Sequence, residues 1–211
     1  TDSNMYNVGV GYAAGGAITT GSDNVLIGGL AADALTDASF NVAIGTSALG
    51  SDTLGSRNIA IGVSALAAQN FTTATDAYNV AVGVLAGLSV TTGTQNVLIG
   101  GLAGDAITTG DNNVALGHEA LTANTVGDRS TALGNFALKS QNPATNTDMY
   151  NVAIGHNAGG DVTTGLNNTL IGGLAGDALT TAEGNVAVGY GTLSASTKSA
   201  QNVAIGNIAL L

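Results

Sequence analysis

Several residue types on which protein chemistry often depends are absent from this chain or nearly so. It has no cysteine and no tryptophan, two histidines and one proline, and only 9% of its residues are charged. The lack of cysteine excludes disulfides and thiolate metal sites, although it leaves the redox compartment open. Two histidines and no cysteine supply no Ser–His–Asp or Cys–His set, so we predict that the protein is not an enzyme.

Large side chains are also scarce. Aromatic residues make up 4% of the chain, whereas glycine accounts for 32 of its 211 residues. This composition cannot fill a thick globular core, but many small side chains can fill the thin core of stacked layers. The low charge argues against a disordered chain, because disorder normally combines low hydrophobicity with high net charge.

Basic residues are few as well, since 4 Lys and Arg stand against 14 Asp and Glu, a net charge of −10. An acidic surface repels phosphate backbones, so we expect no nucleic-acid partner. No apolar run reaches the length of a membrane span, so we expect no membrane insertion. Nothing in the sequence indicates a cofactor.

One five-residue sequence motif, Asn-Val-Ala-Ile-Gly at 41–45, occurs twelve times along the chain with small changes. The copies begin at residues 7, 24, 41, 58, 79, 96, 113, 130, 151, 168, 185 and 202, so the steps are 17, 17, 17 and 21 residues. We call each copy and the residues up to the next one a coil, number the coils 1–12, and count positions from the first residue of each coil. Self-similarity at a fixed period is the signature of a repeat architecture.

The steps repeat every 72 residues, which predicts a single repeat domain over residues 1–211. Its three super-repeats are 7–78, 79–150 and 151–211. Residues 1–6 match the end of the longer coils, so we interpret them as the tail of a preceding insertion loop.

The pattern within a coil predicts a strand and a corner. Position 1 is Asn in eleven coils, position 4 is Val, Ile or Leu in all twelve, and position 5 is always Gly. Apolar residues at positions 2 and 4 favour a short strand, and the Gly indicates a corner with positive φ or close backbone approach. The Asn suits a turn and, stacked coil on coil, an amide ladder. We therefore expect an all-β, parallel β-solenoid about 55–60 Å long, at ~4.8 Å per coil.

The bulky residue of each coil alternates between two positions. Position 9 is Gly or Ala in the first two coils of each super-repeat, where position 12 is Ile, Leu or Val. In the third coils position 9 is Leu and position 12 is polar. Close packing at constant volume requires such an exchange, so both positions should point into one core.

Position 3 faces away from positions 2 and 4, yet it is apolar too. It is Ala in eight coils and Leu in the second coil of each super-repeat, as Leu26, Leu98 and Leu170. Strands that are apolar on both faces are usually buried on both faces. Assigning positions 2 and 4 to the chain's own core, we expect position 3, with the three leucines, to form the interface of a parallel homotrimer.

These repeated motifs resemble the head repeats of trimeric autotransporter adhesins, whose pattern is Asn-Ser-Val-Ala-Ile-Gly-x-x-Ser. They are also similar to 17-residue Asn-Thr-Ala-Val-Gly-x-x-Ala-Leu arrays in phage tail-fibre-like proteins. The resemblance covers residues 7–210. It implies a left-handed parallel β-roll, three chains side by side, and a place outside the cell, on its surface or on a virion.

The four extra residues of coils 4 and 8 carry most of the unusual side chains. The segments 67–78 and 139–150 contain Phe71, Tyr78, Pro143, Met149 and Tyr150. Insertions in solenoids form loops on one face, often the binding face. We consider them candidate recognition loops for a cell-surface receptor or glycan. The alternative is that the tyrosines only fasten each loop to its coil.

Other candidate sites are weaker. His118 and His156 lie two coils apart, about 9–10 Å, which is too far to share a metal ion. The second coils carry one Asp each at position 10, four coils apart, which is typical of a turn; these are Asp33, Asp105 and Asp177. A row of threonines at position 13 resembles an ice-binding face, but the adjoining position 14 is mixed.

The leading hypothesis is a non-enzymatic structural rod of an extracellular or virion fibre, with or without an adhesive role, assembled as a homotrimer. The alternative is a filament subunit that stacks head to tail. Joining residue 211 to residue 1 of another copy would put 16 steps between the coil starts at 202 and 7, close to the 17 of a normal coil. An ice-binding solenoid is the third hypothesis.

Overall fold

The structure is a computed structural model that describes residues 5–210 and leaves Thr1–Asn4 and Leu211 outside the described residues. The described chain contains sixteen short strands and no helix. The strands are β1 (Val8–Val10), β2 (Val25–Ile27), β3 (Val42–Ile44), β4 (Gly55–Ser56), β5 (Ile59–Ile61), β6 (Thr75–Asp76), β7 (Val80–Val82), β8 (Val97–Ile99), β9 (Val114–Leu116), β10 (Gly127–Asp128), β11 (Thr131–Leu133), β12 (Thr147–Asp148), β13 (Val152–Ile154), β14 (Thr169–Ile171), β15 (Val186–Val188) and β16 (Val203–Ile205).

Twelve of these strands, one per coil, form a single parallel sheet that runs the length of the molecule. Each pairs with the strand of the next coil in matching register, as when Val80, Ala81 and Val82 lie opposite Val97, Leu98 and Ile99. The remaining four strands make two small parallel pairs, β4 with β6 and β10 with β12, where the longer coils meet the coils before them. The predicted twelve-coil parallel β-solenoid is therefore confirmed.

The glycine at position 5 is required for both of the reasons that the sequence suggested. All twelve have φ between 129° and 144°, a region that side chains other than glycine's rarely allow. A Cβ added to Gly100 would also lie 2.6 Å from the carbonyl oxygen of Gly117 in the next coil. Stacked corners thus leave no room for a side chain.

The asparagines at position 1 form the predicted ladder inside the molecule. Asn96 is fully buried; its Nδ2 donates to the carbonyl oxygen of Gly110 in the same coil, at 2.8 Å. Its Oδ1 accepts the backbone N–H of Asn113 in the next coil, at 3.0 Å. One side chain therefore closes its own coil and binds the following one, so that a buried polar group is fully paired.

The core is a thin column of small and medium side chains. It contains the alanines of positions 3 and 8 together with the exchanging residues of positions 9 and 12, such as Leu49, Val90 and Ile107. The exchange of bulk between positions 9 and 12 is confirmed.

The same core contains Leu26, Leu98 and Leu170, which are at most 1% exposed. The prediction that they form an oligomer interface is wrong, because position 3 faces inward and positions 2 and 4 face outward. Small residues at position 9 make this possible: a Cβ on Gly104 would lie 2.7 Å from Leu98 Cδ2.

Candidate functional site

The outward face of the twelve-stranded sheet runs through all twelve coils. We define the outer sheet face as positions 2 and 4 of all twelve coils, which makes 24 side chains. Twenty-two are Val, Ile or Leu, the other two are Thr131 and Thr169, and none carries a charge. In a chain with a net charge of −10, so long an uncharged surface points to contact with something apolar.

No side chain of the outer sheet face is buried. Ile27 and Ile59 are 37% exposed and Leu116 is 46% exposed, in the interior of the sheet rather than at its ends. At ~4.8 Å per strand and a width of about 10 Å, the strip measures on the order of 500 Å². That lies at the upper end of the apolar patches found on monomers, and parallel sheets are normally covered on both faces.

Exposed apolar and aromatic residues flank this strip on both sides. Beyond the glycine corner, position 6 supplies Tyr12, Val63, Val84 and Tyr190, each about half exposed or more. Before the strand, the last position of a coil supplies others, namely Phe40, Tyr78 and Tyr150, about half exposed. The border before the strand is mixed, because the last position of other coils holds the exposed charged residues Asp23, Arg57 and Arg129.

The insertions place their five candidate recognition residues in two groups. Phe71, Pro143 and Met149 are buried beneath the loops. Burial removes them from any surface that a receptor or glycan can reach. Tyr78 and Tyr150 remain available at the surface, 49% and 51% exposed.

A buried polar network fastens the first insertion to the coil below it. Gln69 Nε2 donates to Asp52 Oδ2 at 2.6 Å, and Gln69 Oε1 accepts from Asn79 Nδ2 at 2.9 Å. The other carboxylate oxygen of Asp52 accepts the backbone N–H groups of Gly55 and Phe71. This network explains why position 12 becomes polar in the third coil.

The second insertion has a related network with different residues. Asn124 Oδ1 accepts the Gly127 N–H at 3.1 Å, and Gln141 Oε1 accepts from Asn151 Nδ2 at 3.0 Å. Gln141 also donates to Ser130 Oγ at 2.9 Å, where the asparagine ladder is replaced by serine. Our reading of the sequence missed both networks, although the polar residue at position 12 of two successive coils was a visible signal.

Each insertion is bound by an arginine of the preceding coil. We call this arginine, with its aspartate and aromatic partners, an arginine clasp. Arg57 Nε lies 3.0 Å from Asp76 Oδ2, and the guanidinium sits 4.9 Å from the Phe40 ring centre and 5.8 Å from that of Tyr78. The hydrogen bond that Arg57 donates to Asp76, and then the charge of that carboxylate, raise the pKa of Arg57. The side chain thus bridges three successive coils through one ion pair and two cation–π contacts.

The second clasp pairs Arg129 with Asp148 and places the guanidinium 5.9 Å from the Tyr150 ring centre. Tyr150 also donates its hydroxyl to Asp148, at 3.2 Å. Both tyrosines therefore take part in fastening their loops, which was the alternative to a recognition role. Their outer surfaces stay open to solvent.

The two histidines both contact one aromatic ring. Phe136 lies between His118 and His156 with edge-on contacts, and its ring centre is 5.8 Å from each of theirs. Within residues 5–210 no three His, Cys, Asp or Glu side chains come close enough to share a metal ion.

The position-10 aspartates act separately. Asp105 accepts the hydroxyl of Thr122 at 2.5 Å. Burial is the main cause that raises the pKa of Asp177. The Asp105 contact joins two successive coils, and the charge of Asp161 in the coil before Asp177 is a further cause that raises the pKa of Asp177.

In most coils the hydroxyl of the threonine at position 13 is used in a hydrogen bond to the next coil. Thr91 and Thr108 donate their hydroxyls to the carbonyl oxygens of Thr108 and Thr125 in the following coils, at 3.1 and 3.0 Å. Thr163 and Thr180 repeat this arrangement. The row is therefore a second ladder rather than a set of free hydroxyls.

The fold defines the chain as a parallel β-solenoid with an uncharged outer sheet face along all twelve coils. Comparisons with protein-family models, with curated proteins and with solved structures found no match to the chain. No helix among residues 5–210 could cross a membrane.

Proposed function

We propose that the protein is a non-enzymatic structural rod of an extracellular or virion fibre, and that it assembles side by side with copies of itself as a homotrimer. The observation that carries this proposal is the uncharged outer sheet face on a parallel sheet that nothing in the single chain covers. Leaving such a face exposed to water costs roughly 25 cal/mol of free energy for each Å² of apolar surface.

A second copy fits this face better than an unrelated partner does. The face repeats at ~4.8 Å per strand, so its ridges and grooves have the same spacing as those of another copy. Because the acidic side chains lie elsewhere on the coil, two faces can meet without placing like charges opposite each other. The resemblance of the repeated motifs to trimeric adhesin heads supports three chains around one axis.

An adhesive role belongs to the same proposal. The exposed parts of Tyr78 and Tyr150 lie four coils apart at one border of the outer sheet face, each beside an Arg–Asp pair. Aromatic rings with adjacent polar groups suit a receptor or glycan. These two positions are where contact with such a ligand is expected.

Sedimentation velocity tests the assembly. We expect three chains of 20.4 kDa each in one particle, and a monomer for Ile99→Lys, which places a charge on the outer sheet face. Thr109→Lys, on the exposed turn of the same coil, is the matched control and should stay trimeric. A monomeric wild-type protein contradicts the proposal, and long uniform filaments in negative-stain micrographs would support the head-to-tail alternative instead.

A further inference from the structure

The two columns of the outer sheet face differ in size and polarity. Position 2 consists of nine Val, one Ile and two Thr, whereas position 4 has seven Ile, two Leu and three Val. Both polar side chains, Thr131 in coil 8 and Thr169 in coil 10, belong to the column of smaller residues. If both columns had the same surroundings in the assembly, nothing would account for their difference in size and polarity.

The two hydroxyls on the face also lack partners. The hydroxyls of Thr131 and Thr169 make no hydrogen bond within residues 5–210, whereas those of Thr91 and Thr108 donate to main-chain carbonyls. When the face is covered, an unpaired hydroxyl loses its water without compensation, which is unfavourable. The covering partner should therefore supply a polar group at the level of these two coils.

We infer that the position-2 column lies along the axis of a parallel, in-register trimer, where Thr131 and Thr169 each meet their own counterparts from the other chains. This inference rests on the proposed self-assembly and specifies its geometry. On a threefold axis three copies of one residue converge, so the space for each is smallest and a hydroxyl finds identical partners. The larger Ile and Leu side chains of position 4 then pack at the sides, between neighbouring chains.

An antiparallel arrangement cannot both cover all twelve coils and bring the threonine hydroxyls together. With all twelve coils covered, coil 8 faces coil 5 and coil 10 faces coil 3, which sets Thr131 against Val80 and Thr169 against Val42. Pairing the threonines with each other requires a slip that centres the contact on coil 9. That slip covers only coils 6–12 and leaves ten apolar side chains of coils 1–5 exposed.

Single cysteines test this geometry without interference, because the chain has none of its own. We expect Val80→Cys and Val152→Cys, both at position 2, to form intermolecular disulfides on mild oxidation, since Cβ atoms on the axis approach the ~4 Å that a disulfide needs. Val82→Cys and Ile154→Cys, at position 4 of the same coils, are the matched controls. Their yield should be at least about tenfold lower, because their Cβ atoms lie outside that distance.

Each other outcome overturns the inference in a recognisable way. Disulfides only at position 4 place the other column on the axis. A disulfide at Val152→Cys but not at Val80→Cys identifies the slipped antiparallel pair centred on coil 9. No disulfide in a protein that sediments as an oligomer excludes the axis at position 2, whereas a monomer by sedimentation refutes the proposed assembly itself.

Paired Val-to-Thr substitutions in coil 5 test the role of the hydroxyls. Val80→Thr adds a hydroxyl at position 2, where three copies can bind one another, so the trimer dissociation constant should change only a few fold. Val82→Thr makes the same change at position 4, against apolar neighbours, and should weaken assembly by about tenfold or more. Equal effects of the two substitutions would contradict the meeting of hydroxyls on the axis.

Discussion

At the scale of single residues, the framework depends on side chains that each satisfy a contact with the next coil. The position-5 glycines allow the corners to stack, and the position-1 asparagines replace backbone partners that a corner cannot supply. These contacts repeat along the rod. A substitution at one of them therefore disturbs two neighbouring coils, while a substitution one residue away can be harmless.

Replacement of Gly100 by alanine should destabilise the protein by about 2–4 kcal/mol, through left-handed strain and steric overlap. Gly100 has φ of +133°, and the new Cβ would lie 2.6 Å from the Gly117 oxygen. The adjacent Gly101→Ala is the control, because its Cβ meets nothing closer than 3.5 Å, at His118. Denaturant titration measures both, and similar losses for the two variants would show that the corner does not require glycine.

The substitution Asn96→Asp should make stability depend on pH. The new carboxylate would face two acceptors, the Gly110 carbonyl oxygen and the Asn79 Oδ1, at the places where Asn96 Nδ2 now donates. Burial beside acceptors raises the folded-state pKa of the carboxyl above its unfolded value of ~3.9. The folded protein then binds the proton more tightly, so stability falls as pH rises from about 4 through that raised pKa.

At neutral pH the loss for Asn96→Asp should reach about 3–5 kcal/mol, the typical cost of an unpaired buried charge. Below about pH 4 both states are protonated and most of the loss should disappear. Asn146→Asp, on the exposed surface of the second insertion, is the control and should show no such dependence. A loss for Asn96→Asp that does not change with pH would mean that the ladder tolerates the charge.

At the scale of the elements, most of the coil follows from its sequence pattern, but the orientation of its strand does not. Alternation shows that position 3 opposes positions 2 and 4, yet all three are apolar, so hydrophobicity alone cannot tell which side faces inward. The sizes of the side chains indicate which side of the strand faces the core. Alanine dominates position 3, as a thin core requires, and Leu98 is buried where positions 9 of coils 5 and 6 are glycine.

The insertions illustrate a second limit of the sequence pattern. Rare side chains such as Phe71 and Met149 suggested a binding loop, but a loop in a chain with few large residues also needs apolar bulk of its own. The structure uses them for that purpose. Tyr78 and Tyr150 could be assigned to the loops from their spacing, whereas the arginine clasps depend on contacts between coils that no local pattern shows.

Phe71 and Tyr78 should therefore respond differently to truncation. Phe71→Ala removes a ring that is 6% exposed and should cost about 3–5 kcal/mol. It should also speed amide exchange at Thr75 and Ala77, which donate to the preceding coil. Tyr78→Ala removes a half-exposed ring and one cation–π contact, so it should cost no more than about 1 kcal/mol. A larger loss at Tyr78 would make it the main support of the loop.

At the scale of the whole molecule, the rod separates its charge from its apolar surface. The acidic groups of residues 5–210 lie outside the outer sheet face, which is uncharged along all twelve coils. The net negative charge keeps separate particles apart, and the face gives copies one direction in which to associate. Association and folding are then linked, because covering the face stabilises the folded chain.

The thermal midpoint should accordingly rise with protein concentration in the wild type, over a roughly hundredfold range, and stay constant in Ile99→Lys.

Because no ion pair crosses the outer sheet face, raising the salt from about 0.05 M to about 0.5 M should leave the midpoint unchanged or increase it, as repulsion between acidic chains is screened. Scanning calorimetry measures both dependences. A midpoint that falls with salt would indicate that charged groups hold the copies together, and a concentration-independent wild type would show that the face stays uncovered.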